Sequence, residues 1–329
     1  MEAHQLPSGT YLEQNKYYIE RVLGDGGFGI TYLGYDVKLQ RKVAIKEFYM
    51  RGYCYRNPGD PNVYTEAGEK RENFEKMKQQ YIEEGRVLAA LGEQPGVVNV
   101  YTFIEENNTA YLVMDFVEGQ SLDAYVKGRG GRLSVSETLA IMRPVIRALA
   151  GVHKRGVIHR DISPDNIMVQ PDGKPVLLDL GAAKDLDIQG KDGSIQTTQM
   201  VAKQGFSPIE QYRKNASVGP WTDVYAMAAT IYYCCTGVLP PSATDRMIED
   251  TLTCRPRLTK EQFDVLAFCM SVLPQKRPQN MDALLQIVTH PAGKTPPVRD
   301  VPKTEPVRPE TRNLQPPKPD PGRPLPKWL

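Results

Sequence analysis

Residues 157–169 read Val-Ile-His-Arg-Asp-Ile-Ser-Pro-Asp-Asn-Ile-Met-Val, which is an apolar run, a polar turn and a second apolar run. The turn holds Asp161 and Asn166 five residues apart. Two apolar runs around a polar turn predict two strands and, taken alone, only a hairpin. His-Arg-Asp followed by Asn at this spacing is an uncommon pattern, so it guides the interpretation of the rest of the chain.

A polar turn of this kind can direct a carboxylate at a hydroxyl nucleophile and an amide oxygen at a metal-bound phosphate. Phosphoryl transfer to an alcohol needs both groups. We therefore predict that Asp161 is the catalytic base and that Asn166 is a magnesium ligand.

The composition of the 329-residue chain, with 40% apolar and 24% charged residues, is that of an ordinary globular protein. Its five cysteines have no Cys-x-x-Cys spacing, which argues against a disulfide framework and a zinc site. We find neither a signal peptide nor an apolar run that would span a bilayer, and we predict a cytoplasmic protein.

The net charge of +2 arises from the C-terminal tail, because residues 291–329 carry eight Lys/Arg and four Asp/Glu. The rest of the chain is nearly neutral and has no basic stripe. Electrostatic capture of nucleic acid is therefore not expected as a primary role.

The first part of the chain is predicted to be rich in strands. Residues 1–16 form a polar, extended N-terminal extension, and residues 50–70 form a long loop without periodicity. Strands are predicted within 17–35, at 43–46, 97–105 and 110–116, with one helix at 74–91. Beyond Gly119 the pattern is mainly helical, with runs at 136–155, 222–236, 260–272 and 280–288.

The glycine cluster of Gly24, Gly26, Phe28 and Gly29 is a weak signal alone, because a dinucleotide-binding turn has the same spacing. Here the cluster lies between two strands and not before a helix. The next strand ends in Lys46, as a lid over nucleotide phosphates requires. A side chain at Gly26 or Gly29 would keep backbone amides from the phosphates, and Phe28 would cap the site.

With these motifs in this order, the chain resembles a eukaryotic-type (Hanks-type) serine/threonine protein kinase catalytic domain, of the sort also found in bacteria, over residues 17–290. The resemblance implies an α+β bilobal fold. An N-lobe at 17–116 would hold a small antiparallel sheet and one main helix, with an insertion at about 50–70. A larger, mostly helical C-lobe would span 117–290.

The resemblance assigns Lys46 to the α- and β-phosphates of ATP and Glu84 to an ion pair with Lys46. Glu83 is an adjacent competitor. Helical phase favours Glu84, which shares the inward face with Tyr81 and Leu88. The alternative is that Glu84 forms only a surface salt bridge.

Residues 178–181, Leu-Asp-Leu-Gly, resemble the magnesium-binding Asp-Phe-Gly of the family, with Leu180 as the apolar plug. Asp179 would therefore bind the bridging Mg²⁺, for which Mn²⁺ could substitute.

The resemblance also implies an adenine pocket beside the last strand of the small lobe. Ala44 and Met168 would sandwich the base, and Met114 would border the pocket. Backbone groups from Asp115 to Val117 would bond the base. Met114 and Met168 are equally compatible with ordinary core methionines.

Three further matches concern the scaffold. Glu210 stands where the family has the glutamate of Ala-Pro-Glu, and Arg277 matches its arginine partner. Asp223 matches the buried anchor of the central large-lobe helix.

Two departures bear on activity. Most serine/threonine kinases have a lysine two residues after the catalytic aspartate, where this chain has Ser163, and Lys203 stands where the family has a threonine. We hypothesise that Lys203 reaches toward Asp161 and supplies the missing ammonium. The alternative is an outward-facing lysine. A nucleotide-binding pseudokinase scaffold therefore stays open, as does a tyrosine or small-molecule kinase.

Regulation is predicted in the segment 182–204, where a phosphorylated residue could pair with Arg160. The candidates, which the kinase could phosphorylate itself, are Ser194, Thr197 and Thr198. The expected partners of the chain are protein substrates.

The tail at 291–329 contains twelve prolines in 39 residues and cannot bury a core. It is predicted to be disordered and to act as a spacer, as a ligand of a partner domain, or as a linker to a membrane segment. In the last case the chain would be the cytosolic part of a membrane-anchored kinase.

Overall fold

The small lobe is built on a six-stranded antiparallel sheet in the order β1-β2-β3-β4-β8-β7. In the computed structural model, residues 4–27, 29–179, 202–213 and 216–289 are described. The strands of this sheet are β1 (Tyr11–Leu12), β2 (Tyr17–Gly26), β3 (Gly29–Asp36), β4 (Arg41–Phe48), β7 (Val100–Glu106) and β8 (Thr109–Asp115). Strand β4 is hydrogen-bonded to β3 on one side and to β8 on the other, which places Lys46 near the middle of the sheet.

One long helix, α1 (Glu69–Leu91), packs on this sheet. Its buried side chains repeat at three- and four-residue intervals, as the sequence pattern predicts. Phe48 on β4 contacts the rings of Phe74 and Tyr81, with centroid separations of 5.2 and 5.3 Å. The Tyr81 hydroxyl also donates a hydrogen bond to the carbonyl of Lys46 at 2.9 Å. The helix is thereby fixed to the strand that carries Lys46.

The large lobe consists mainly of helices. They are α2 (Leu122–Gly128), α3 (Val135–Lys154), α4 (Pro220–Thr236), α5 (Ala243–Ile248), α6 (Lys260–Cys269) and α7 (Met281–Thr289). Helix α4 is buried along nearly its whole length and forms the centre of the lobe. A small sheet of β9 (Gln120–Ser121), β10 (Ile167–Val169) and β11 (Pro175–Leu177) packs against α2 and α3. The predicted α+β fold of two lobes is confirmed.

The predictions for the N-terminal extension and the insertion are wrong in part. Leu6 and Leu12 are buried at 1% and 0% exposure, and β1 adds an edge strand to the sheet, so these two leucines anchor the N-terminal segment to the core. The insertion contains a hairpin of β5 (Cys54–Arg56) and β6 (Val63–Thr65) where a long loop was predicted. Strands of three residues are too short to display periodicity.

A buried ion pair holds the end of the large lobe together. Arg277 Nη1 and Nη2 donate to the two carboxylate oxygens of Glu210 at 2.8 and 2.9 Å, and both side chains are nearly inaccessible to water. Thr222 donates a further hydrogen bond to Glu210 at 3.0 Å. The predicted pairing of Glu210 with Arg277 is confirmed.

Within the part of the chain that the structure describes, no helix combines the length and the apolar character that a bilayer span requires.

Replacing Arg277 with methionine should destabilise the protein strongly. Glu210 would keep its burial but lose both charge-assisted hydrogen bonds from the guanidinium, which typically costs about 3–5 kcal/mol of unfolding free energy. Denaturant unfolding followed by circular dichroism measures the change. Lys260→Met is the control, because the Lys260–Asp264 pair is exposed and screened by water. Equal and small shifts for both variants would contradict the assigned role of Arg277.

Candidate active site

Asp161 and Asn166 are joined directly. The side-chain amide of Asn166 donates to the backbone carbonyl of Asp161 at 2.8 Å and to its carboxylate oxygen Oδ2 at 2.9 Å. A short 3-10 turn at 164–166, opened by Pro164, folds the chain back so that the two side chains meet. Both bonds use the Asn166 nitrogen, so its amide oxygen faces away from Asp161.

The backbone before Asp161 is held by Asp223 at the start of α4. The Asp223 carboxylate accepts hydrogen bonds from the backbone N–H groups of His159 and Arg160, both at 2.8 Å. Nε2 of His153 lies 2.7 Å from the same carboxylate. The predicted strand at Val157–Ile158 does not form, and the Val157 N–H donates instead to the carbonyl of Val152 in α3 at 3.4 Å. The second predicted strand is β10.

Leu178 connects Asp179 to the catalytic turn. Its N–H donates to the Asn166 carbonyl at 2.8 Å, and its own carbonyl lies 2.8 Å from His159 Nε2. Asp179 follows with a positive φ of 45°, a conformation that turns the chain sharply at the end of β11. The carboxylate of Asp179 therefore lies at the same edge as Asp161 and Asn166.

An ion pair joins the two lobes at this edge. Lys46 Nζ, from the small lobe, lies 2.9 Å from Asp179 Oδ1, from the large lobe. The two side chains are 21% and 36% exposed, so the pair is accessible from the cleft. Lys46 and Asp179 belong to separate sequence motifs, and the fold brings them into contact.

Glu84 and Glu83 lie in different environments on α1. Glu83 is exposed and its carboxylate lies 2.9 Å from Arg86 on the surface. Glu84 is half-buried beside Tyr81, whose pKa is raised by burial and, to a lesser degree, by the charges of Asp179 and Glu84. Of the two candidates, Glu84 is therefore the one on the cleft side of the helix.

The glycine-rich turn, residues 24–29, comprises the end of β2, the start of β3 and the two residues between them. Gly24 and Gly26 have room for a side chain on the protein side, whereas a Cβ at Gly29 would lie 2.6 Å from the carbonyl oxygen of Glu47. Gly29 is therefore required by the close pairing of β3 with β4, a reason that the sequence pattern does not reveal. Phe28 lies outside the described residues.

The predicted adenine pocket is lined by neighbouring positions. Ala44 and Met114 are directly opposite each other on β4 and β8, and Met168 is half-buried on β10. The N–H of Asp115 donates to the carbonyl of Asn99 at 3.0 Å, so it is not directed at a base. Val117 is half-buried against the core.

The side chain of Lys203 contacts the turn at 161–166. Its ammonium donates to Ser163 Oγ at 3.0 Å and contacts the carboxylate of Asp165. The backbone N–H of Lys203 donates to Ser207 Oγ at 2.9 Å, which fixes the start of the side chain. The ammonium thus reaches the position at which Ser163 replaces the usual lysine. The contact between Lys203 and Asp165 is not predicted from the sequence, although Asp165 lies in the same turn as Ser163.

The donor set of the cleft fits magnesium. Asp179 and Asn166 present a carboxylate and an amide oxygen, which are hard ligands that Mg²⁺ prefers. The described residues contain no cluster of three or more His, Cys, Asp or Glu that could hold a metal ion. Mg²⁺ typically binds through one or two protein groups together with substrate phosphates, so this small set is sufficient.

Some predicted residues cannot be located in this site. Leu180, Gly181 and the candidate phosphorylation sites Ser194, Thr197 and Thr198 lie outside the described residues, as does the proline-rich tail.

The chain matches known proteins over most of its folded part. The family model described as "Protein kinase domain" matches residues 17–291. The chain is 29% identical over 235 residues to the serine/threonine-protein kinase PknA of a Nostoc strain and 31% identical over 232 residues to the serine/threonine-protein kinase D of a Synechocystis strain. The alignments cover 70% and 69% of this chain but only 38% and 42% of those relatives.

The fold is likewise similar to a solved structure. The apo form of PpkA-294 superposes with a TM-score of 0.76 at 32% identity, covering 87% of this chain and 99% of that one. Residues 17–291, which the family model matches, include every site residue located above. The chain therefore belongs to the protein kinase domain family, as a serine/threonine kinase domain of the bacterial type.

Proposed function

We propose that the chain is an ATP- and magnesium-dependent protein kinase that transfers the γ-phosphoryl group to serine or threonine hydroxyls. The observation that carries this proposal is the contact set around Asp161. Asn166 bonds Asp161, Leu178 links Asn166 to Asp179, and Asp179 meets Lys46 across the cleft. These contacts support the roles proposed for the four residues, namely Asp161 as the base, Asn166 and Asp179 as metal ligands and Lys46 as the phosphate-binding cation.

Asp161 performs the proton transfer in this proposal. Asn166 bonds one of its carboxylate oxygens, which fixes the orientation of the carboxylate toward the cleft. The carboxylate orients the substrate hydroxyl and accepts its proton as the new oxygen–phosphorus bond forms. The bond between the γ-phosphorus and the bridging oxygen of ADP breaks in the same step.

Four side chains hold the nucleotide and the metal. Lys46, with its partner Glu84, is assigned to the nucleotide, and Asn166 and Asp179 are assigned to the metal. Magnesium, when bound by Asn166 and Asp179, neutralises charge on the phosphates. Lys46 contributes its ammonium to the α- and β-phosphates, with Glu84 as its partner on α1. Glycines 24, 26 and 29 let backbone amides of the turn approach the phosphates.

The adenine base is assigned to the cleft between the lobes. Ala44, Met114 and Met168 supply apolar surface for its two faces and one edge. The hydrogen bonds are assigned to backbone groups between Asp115 and Val117, with the N–H of Asp115 excluded because Asn99 accepts it.

The choice of serine or threonine as the phosphate acceptor is supported by relatives that bear the name serine/threonine-protein kinase. The residue usually cited for that choice is a lysine that this chain replaces with Ser163. The Lys203 ammonium next to Ser163 supports the same choice by filling the position of that lysine. Tyrosine and small-molecule acceptors are outcomes that a substrate panel would detect.

The setting of the enzyme is also a proposal. All five cysteines lie within the described residues as free thiols, and four are buried, which supports a reducing compartment such as the cytoplasm. The substrates are proteins. The proline-rich tail is assigned to a spacer or to the binding of a partner domain or membrane segment. Autophosphorylation is assigned to Ser194, Thr197 or Thr198, and the phosphorylated residue would pair with Arg160.

Replacing Asp161 with asparagine should abolish transfer while leaving nucleotide binding in place. Loss of the base removes a contribution of roughly 10²–10⁴-fold to kcat. Transfer of label from radiolabelled ATP to a peptide measures the rate, and calorimetry measures the nucleotide affinity. The matched control is Asp172→Asn, an exposed carboxylate on the turn between β10 and β11. A wild-type chain that binds ATP but transfers nothing would instead favour the pseudokinase scaffold.

Replacing Lys203 with alanine should reduce kcat, because the ammonium at Ser163 no longer stabilises charge on the transferring phosphoryl group. The loss expected for one such group is on the order of 10²-fold. The double variant Lys203→Ala with Ser163→Lys should recover a large part of the rate, since it restores a cation at the usual position.

The control for this experiment is Lys174→Ala, which removes an exposed lysine that pairs with Asp172 on a surface turn. Peptide turnover that is unchanged in Lys203→Ala would overturn the catalytic role of Lys203. A reduced rate without any recovery in the double variant would limit Lys203 to a structural role.

A further inference from the structure

Three segments of the chain meet at Asp25, inside the glycine-rich turn. The Asp25 carboxylate lies 2.7 Å from His4 Nε2 and accepts a hydrogen bond from Gln5 Nε2 at 2.8 Å. Arg51 Nη2, from the start of the insertion, donates to the other carboxylate oxygen at 2.7 Å. The Asp25 side chain is only 14% exposed. The turn is therefore bonded to two segments that are distant from it in sequence.

The N-terminal segment is itself anchored in the small lobe. Leu6 is buried at 1% exposure and its N–H donates to the hydroxyl of Tyr32 at 3.0 Å. Tyr32 in turn donates to Glu47 Oε2 at 2.7 Å. His4 and Gln5, which precede Leu6, are consequently held beside Asp25 by a fixed point in the core.

The insertion is anchored by a buried ion pair. Arg56 Nη2 bonds Glu47 Oε1, and the two side chains are 1% and 0% exposed. Arg56 Nη1 also donates to the backbone carbonyl of His4 at 2.7 Å, which ties the insertion to the N-terminal segment. A buried charged pair is costly to disturb, because removing either partner strands the other charge. Glu47 directly follows Lys46, so this anchor adjoins the predicted phosphate-binding lysine.

These contacts offset two effects that would weaken phosphate binding by the turn, namely the conformational entropy of its backbone and the negative charge of Asp25. Glycine-rich backbone is conformationally free, so ordering it on a phosphate costs entropy that a tether removes in advance. A carboxylate beside a triphosphate also repels it, and the Arg51 guanidinium offsets that charge. Partial burial opposes ionisation of Asp25, but the hydrogen bonds from Gln5, Arg51 and His4 nevertheless hold its pKa below the usual range.

We propose that Asp25 and Arg51, together with residues 4–6, form a tether that holds the glycine-rich turn in position for the phosphates of ATP. This inference rests on the proposed kinase function, since it concerns the same nucleotide. Asp25 and Arg51 are positioning residues and take no part in the transfer of the phosphoryl group. Loss of the tether should therefore raise the KM for ATP and leave kcat nearly unchanged.

The test compares Asp25→Asn, Arg51→Met and the double variant. Each single change should raise the KM for ATP about three- to fivefold, the range expected for a partly exposed ion pair. The double variant should show a KM close to that of either single variant, because both changes remove the same contact. The control is Asp60→Asn, whose carboxylate bonds Asn62 and Tyr64 within the insertion itself.

A second readout does not depend on activity. Amide hydrogen exchange of the peptide covering residues 20–34, measured without nucleotide, should be faster in both single variants than in the wild type and in Asp60→Asn. Exchange over residues 100–115, on the far side of the sheet, should not change. Faster exchange together with a raised KM supports the proposal.

Several outcomes would overturn the tether. Unchanged exchange in both variants would show that the contacts do not hold the turn, and an unchanged KM would show that they do not serve the nucleotide. A fall in kcat at constant KM, or additive effects in the double variant, would also contradict it. A wild-type chain that neither binds nor hydrolyses ATP would instead refute the proposed function, and the exchange data would still report on the tether separately.

Discussion

The catalytic turn depends on one buried carboxylate, that of Asp223. A carboxylate in a protein interior is tolerated only when hydrogen-bond donors surround it. Here the donors include the backbone amides of His159 and Arg160, so satisfying the carboxylate also sets the path of the chain. Arg160 is driven into a positive φ of 64°, and the next side chain, Asp161, leaves the core and faces the cleft. The position of Asp161 is thus a consequence of burying Asp223 at the start of α4.

The site residues that could be predicted from sequence are those whose partners lie nearby in the chain. Asp161 and Asn166 share one turn, so their spacing already implies their contact. Helical phase was enough to prefer Glu84 over Glu83, because the periodicity of α1 is long and regular. The contact between Lys46 and Asp179 required the fold, since the two residues come from different lobes and are separated by more than a hundred positions.

The parts that sequence reasoning missed depend on long-range partners and short elements. Leu6 looked like part of a polar extension, and only the pocket beside Tyr32 explains its burial. Arg56 lies in a segment rich in Pro, Gly and Asn that predicts a loop, yet it forms a fully buried pair with Glu47. A buried arginine carries no local signal, because the residue that neutralises it is on another strand. The sequence predicts that Gly29 lets backbone amides approach the phosphates. In the structure, the atom nearest to a Cβ at this position belongs to the backbone of β4.

Three carboxylates near the cleft share one electrostatic feature, which is that each contacts a cation. A triphosphate is an anion, and carboxylates that face it would weaken its binding unless cations offset them. Three carboxylates near the cleft each contact a cation from another segment: Asp25 contacts Arg51, Asp179 contacts Lys46, and Asp165 contacts Lys203. Two of these cations come from places where the chain departs from the usual kinase pattern, namely the insertion and the position of Lys203. Under the proposed function, these two departures supply cations that offset carboxylate charge beside the triphosphate, which is the opposite of what the decay of an active site would produce.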